Sequence, residues 1–316
     1  GGIALSVIAL NSFFASSDKY ANGMLNVEGY SSLGLLAAII AFVAMIISIF
    51  GTKKLIPHLT KPAENLKKVD FSRSYNAFMQ ALKLRQFRQI FVVQILTMVA
   101  GGAGATFMLY WGSYFFELSP AEISLLTLTI VMGLIPASII APVLSKRIDK
   151  MPALVTCLLL GTIFSFSPLY LRLLDVYPAN GTSSLLPMLF LTYTVGYSFY
   201  IAAGIVTGSM LADIADLHET QTHKRQEGLF FAANSFAQKA TFGIGSLLAG
   251  IGLEVIAFPK QVDVSEVSES IIFNLGLISI LPMFLYIIAV YIASKYDLNK
   301  ERHKQINEQL ALQRAN

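Results

Sequence analysis

The chain has 316 residues, of which 55% are hydrophobic and 13% charged, with a formal net charge of +4 and a single cysteine, Cys157. Ordinary soluble domains carry about a quarter charged residues, so one water-soluble core is excluded. The apolar residues fall into long blocks, not the short stripes of soluble elements. The basic residues lie between those blocks and share no run with stacking aromatics, which argues against nucleic acid as a partner, and a lone cysteine builds neither an intrachain disulfide nor a cysteine metal cluster.

The opening Gly1-Gly2-Ile3 has neither a Met nor the basic start of a signal peptide, so the chain reads as beginning inside a larger protein. A bilayer core of about 30 Å takes roughly 20 apolar residues in a helix. Eight such segments follow in order: 1–16, 31–51, 89–116, 121–145, 152–173, 185–212, 228–257 and 271–294. Membrane β-strands would alternate in polarity over about ten residues, and Ile40 to Ile49 does not alternate. The expected fold class is therefore all-α, a polytopic membrane bundle.

Loops 52–88, 146–151 and 213–227 and the tail 295–316 hold 19 of the 23 basic residues, while the intervening loops hold Lys19, Arg172 and Lys260. Acidic residues divide almost evenly, so the positive-inside rule assigns the first set, and with it the C-terminus, to the cytoplasm. The long loop 52–88 separates two segments from six and reads as a domain boundary. In it Tyr75, Phe78, Met79 and Leu82 recur at helical spacing against Arg73, Lys83 and Arg85, as in a surface amphipathic helix. The tail 295–316 is expected to lie in the cytoplasm.

Lys239, the one remaining basic residue, falls near the middle of the seventh segment, where a charge costs at least about 2.5–3.5 kcal/mol and marks a functional site by default. Asn234, Ser235 and Gln238 lie at helical spacing around it and give a polar stripe; a snorkelling or structurally paired lysine is the alternative. Asp213 and Asp216, three apart near the end of the sixth segment, face the same way. Arg225 returns across a short loop with Glu227 beside it, the pattern of a cytoplasmic ion-pair gate or of a plain loop anchor. The positive charges of the loop Ser145-Lys146-Arg147-Ile148-Asp149-Lys150, Arg147 among them, either pair with Asp213 or Asp216 or merely signal topology. His218 and His223 are five apart with no matching cysteine spacing, which argues against a metal site. Gly101, Gly102, Gly104, Gly243, Gly245, Gly250 and Gly252 allow close helix contact, and Pro136, Pro142 and Pro168 can loosen helices near a cavity. Tyr110, Trp111 and Tyr114 either stack on a sugar or anchor the interface, the anchor being favoured.

The run Met210-Leu211-Ala212-Asp213-Ile214-Ala215-Asp216 with Glu219, Thr220, Arg225, Glu227 and Gly228, followed by Ser235-Phe236-Ala237-Gln238-Lys239, resembles the sugar–cation symporters of the glycoside-pentoside-hexuronide family, the melibiose carrier among them, within the major facilitator superfamily. The resemblance extends over about 1–295 and is most specific over 210–245. It implies twelve helices in two bundles, this chain holding the last two of the first bundle (1–51), a linker (52–88) and the six of the second (89–294). Cation-binding aspartates and most sugar-binding residues would then lie upstream. It implies a cavity role for Lys239, with Asn234, Ser235, Gln238 and Tyr110 nearby, and a gate of Asp213, Asp216, Arg225, Glu227 and Arg147. The chain departs from the superfamily's Gly-Arg-Lys loop, which weakens the part of Arg147.

The expected function is uptake of a glycoside or related sugar coupled to Na⁺ or H⁺, by alternating access, in a bacterial inner membrane. No cofactor, catalytic residue or metal is expected; the partners are the sugar and membrane lipid, and a monomer is expected. The alternatives are a carrier of another solute such as a lysolipid and a non-transporting remnant. An intramembrane enzyme would need a catalytic set at membrane depth, and none is visible.

Overall fold

The computed structural model describes residues 27–58, 71–222, 226–259 and 267–315. The expected first segment, 1–16, lies outside them. The chain divides into two compact units, residues 1–71 and 72–316. In the first, α1 (Val27–Thr52) is apolar over most of its length and runs into a 3₁₀ turn, Lys53–His58, that contains Pro57.

The second unit is a helical bundle. Short α2 (Phe71–Ala81) leads into α3 (Arg85–Tyr110), which continues as a π turn, Trp111–Phe115. Then come α4 (Pro120–Ile148), α5 (Lys150–Leu173), α6 (Leu185–Thr222) and α7 (Glu227–Val255). The pair α8 (Glu269–Ile280) and α9 (Pro282–Ala293) is followed by α10 (Lys300–Ala315). Among the described residues, Ser31–Thr52, Arg85–Phe115, Ala121–Ile148, Lys150–Leu173, Leu185–Thr222 and Glu269–Ala293 are six spans long and apolar enough to cross a membrane. The 29-residue α7, with Asn234, Gln238 and Lys239 in its middle, is not among those six.

Local chemistry sets several boundaries. The Ser119 hydroxyl accepts from Glu122 N at 3.3 Å while the Glu122 carboxylate accepts from Ser119 N at 2.8 Å, a capping box that starts α4 with Pro120 at its first position. The eighth expected span, 271–294, is broken at Leu281, since Pro282 has no N–H to continue the ladder and opens α9. The sixth helix runs ten residues past its expected end at 212, to Thr222, so Asp213 and Asp216 sit inside a helix.

Helix α3 packs chiefly against α7 and α9, and α6 against α4 and α5. A Cβ at Gly102 would run into the Phe242 carbonyl, and one at Gly245 into the Val99 carbonyl. This close approach, closed by Ser246 Oγ donating to the Gly102 carbonyl at 3.2 Å, is the use of small residues that membrane helices make in place of a hydrophobic driving force. Gly104, Gly243 and Gly250 meet nothing within 4 Å at that position. Phe87 and Phe230 meet edge to face at 4.9 Å and are fully buried.

Candidate functional site

Helix α7 carries the predicted polar positions, and the bundle splits them. Asn234 is 8% exposed and points inward, with its Oδ1 unpaired, and Gln238 is half-buried. Ser235 and Lys239, four residues apart and hence on one face, are exposed. The reason is the packing of α7 on α3: Phe230, Ala237, Thr241 and Gly245 face the bundle, and Ser235 and Lys239 lie on the opposite side. Tyr110 is not brought to this level. Helices α3 and α7 run alongside with Phe87 against Phe230 and the Phe107 ring 3.4 Å from the Cβ position of Gly252. Tyr110 therefore sits at the far end of α3, edge to face with Phe258 at 5.3 Å, several turns beyond Lys239 at about 1.5 Å per residue.

The second cluster gathers where α4 meets α5. Lys150 Nζ donates to both oxygens of Asp213, at 2.7 and 2.6 Å, and Asp213 is 7% exposed. A buried carboxylate needs such a partner, because leaving it uncompensated costs several kcal/mol. His303 of α10 stands between the aspartates, its Nε2 3.4 Å from Asp213 Oδ1 and 3.3 Å from Asp216 Oδ2. Asp149 ties two helix starts together. Its Oδ1 accepts from Lys150 N at 2.6 Å and its Oδ2 from Lys300 N at 2.8 Å, so one carboxylate meets the positive ends of α5 and α10. Tyr296 lies beside this group with its hydroxyl buried and unpaired. Burial, and after it the Asp213 carboxylate, push that hydroxyl well above the ordinary tyrosine range. A cavity of about 660 Å³ opens here, lined among others by Ser145, Lys146, Lys150, Asp213, Lys300 and His303.

Of the predicted gate residues, Asp213 and Asp216 are brought together with Lys150 and His303. Arg147 is exposed and Glu227 opens α7 half-exposed; Arg225 lies outside the described residues. His218 is buried, its ring edge-on to Phe230 at 5.3 Å and its Nδ1 3.3 Å from Thr222 Oγ1.

The family model for the MFS/sugar transport proteins matches residues 1–300. The chain belongs to that family. An uncharacterized symporter of Synechocystis sp. is 29% identical over 131 residues, which cover 38% of this chain and 24% of that protein. The matched part thus spans about a quarter of the length of that curated relative. Membership in this family, with its long apolar helices, makes the chain an integral membrane protein of a transporter family and not an enzyme.

Two features of this MFS chain escaped the sequence reading. Within the tail, Lys300–Ala315 form a packed helix whose Ile306 and Leu310 are buried; their four-residue spacing was the available signal, weakened by the charges around it. The other is an aromatic cavity inside the bundle, whose tyrosines are spread over two distant helices and show no linear motif.

Proposed function

We propose that the chain is part of a cation-coupled sugar carrier of the bacterial inner membrane, working by alternating access, with Lys239 in its substrate cavity and Asp213 and Asp216 in a cytoplasmic gate. The observation that carries this reading is the exposure of Lys239 on the outer face of α7. Held there against lipid, its charge would cost at least about 2.5–3.5 kcal/mol; lining a water-filled cavity, it is solvated and free to bind substrate.

In this reading Lys150 and His303 are partners of the gate aspartates, Lys150 through an ion pair with Asp213. Two carboxylates held by one lysine and one histidine form a set that can be exchanged for partners in another conformation, which is how differential binding shifts a two-state carrier. The solute is a glycoside or related sugar and the driving ion is Na⁺ or H⁺. No covalent chemistry is required of the protein.

The test is uptake of radiolabelled glycosides into vesicles by the full-length protein and its Lys239→Ala variant. Loss of coupled uptake of tenfold or more in a variant that still folds and inserts is expected. Unchanged substrate affinity and uptake would remove Lys239 from the cavity.

A further inference from the structure

Helix α10 packs on α6 through a narrow apolar face. His303, Ile306 and Leu310, spaced three and four apart, share that face. Ile306 and Leu310 are buried, while Lys304, Asn307 and Glu308 on the other faces are exposed. Two buried apolar side chains are little for a helix of 16 residues, and an element so lightly packed belongs to the low-stability end of a fold. Its polar contacts therefore decide how firmly it sits.

His303 makes the central one. Its Nε2 stands between two carboxylates, 3.3 Å from Asp216 Oδ2 and 3.4 Å from Asp213 Oδ1. A neutral imidazole nitrogen offers either one N–H, which serves one carboxylate at a time, or a lone pair, which both carboxylates repel; an imidazolium brings an N–H and a positive charge into the gap. The surrounding charges are engaged elsewhere or turned outward. Lys150 of α5 is held by Asp213 at 2.6 Å, Asp149 at the α4–α5 junction accepts from two helix starts, and Lys146 of α4 is exposed. On α10 itself Lys300, Glu301 and Lys304 are exposed, and Arg302 turns to Asp297 at 3.4 Å. Tyr296 keeps its proton wherever a histidine titrates, because burial and the neighbouring carboxylates raise it above the ordinary tyrosine range. Histidine is the side chain type whose charge changes between about pH 5 and 8, and among the described residues His303 is the partner of that type that the structure gives to Asp213 and Asp216.

We propose that His303 is a proton-operated latch on α10. Protonated, it fastens the helix to Asp213 and Asp216; as pH rises and the proton leaves, the charge on that contact is lost and α10 loosens from α6. The sign follows from the two carboxylates, which hold the charged imidazole more strongly than the neutral one, so the fastening is present on the acid side and lost on the alkaline side. Because the same two aspartates form the gate proposed above, the latch ties their freedom to exchange partners to pH. That consequence rests on the carrier reading; the fastening itself does not, and it is measured without substrate.

The experiment is hydrogen–deuterium exchange of the full-length protein in detergent at about pH 5.5 and 8. Each rate is divided by the intrinsic rate at that pH and read on peptides from 300–315, with peptides from α3 as the control for global opening. In the wild type the protection of α10 should fall about tenfold from the lower to the higher pH, the scale of one hydrogen bond between charged groups, while α3 stays unchanged. His303→Gln keeps a neutral donor and should show the lower protection at both pH values. Asp216→Asn leaves His303 one carboxylate and should show a smaller fall; with two variants the latch stays testable should one of them fail to fold. Protection of α10 that is flat in the wild type, or a fall kept in full by either variant, would overturn the latch. The expected fall in a wild-type protein that takes up no glycoside under any ion gradient would leave the latch standing and remove the carrier reading.

Discussion

Asp149 is the single residue between α4 and α5, and its backbone adopts φ 73° and ψ 165°. That region belongs almost wholly to glycine, and a side chain held in it costs about 1–3 kcal/mol. The two helix starts that its carboxylate binds offset the cost, at roughly 1 kcal/mol per cap. Asp149→Ala should therefore destabilise the protein by about 2 kcal/mol. Asp149→Gly loses the same caps but sheds the strain and should fall closer to the wild type in detergent thermal unfolding; a glycine variant less stable than the alanine one would refute this account. Tyr296 gives a pH prediction. Its pKa is raised by burial and then by the nearby carboxylates, so the folded state holds its proton more tightly than the unfolded chain. Below the ordinary value of 10.0 both states are protonated and stability is unaffected; as pH rises past that value the unfolded state alone ionises and stability falls. Tyr296→Phe, losing an unpaired hydroxyl, should match the wild type at pH 7 and lose less stability between about pH 10 and 11. Equal alkaline losses in the two proteins would show that Tyr296 does not contribute.

Single elements differ in how openly the sequence declares them. The span of α4 is plain, since a Ser-Pro-Ala-Glu start and an unbroken apolar run give both its cap and its length. The extension of α6 to Thr222 was hidden, because a membrane count stops where polar residues begin although a helix need not. Lys239 could be singled out by its depth, but which face it occupies depended on the crossing of α7 with α3, and spacing along one helix does not reveal that. Gly245 decides that crossing and Gly243 does not, by what a side chain would meet. Gly245→Leu should force α7 away from α3 and cost roughly 1–3 kcal/mol or more, while Gly243→Leu should be tolerated. Thermal unfolding of the two variants in detergent checks this; equal stabilities would contradict the packing. The partner of Asp213 was only half legible: Lys150 stood in a loop already marked by its charge, whereas His303 comes from 90 residues downstream of Asp213, in a helix that composition alone presents as a polar tail.

For the molecule as a whole, family membership over residues 1–300 and the apolar spans agree with the class that composition announced, because a chain with so few charges has few other ways to bury its backbone polar groups. Substrate and ion are less legible, since they depend on side chains that converge from separate helices. The central claim is coupled transport. Its most direct measurement is accumulation of radiolabelled neutral glycosides in vesicles containing the full-length protein, with imposed Na⁺ or H⁺ gradients and with none. The account predicts accumulation that follows one of the two gradients and collapses when that gradient is dissipated; uptake of no glycoside under either gradient would contradict it.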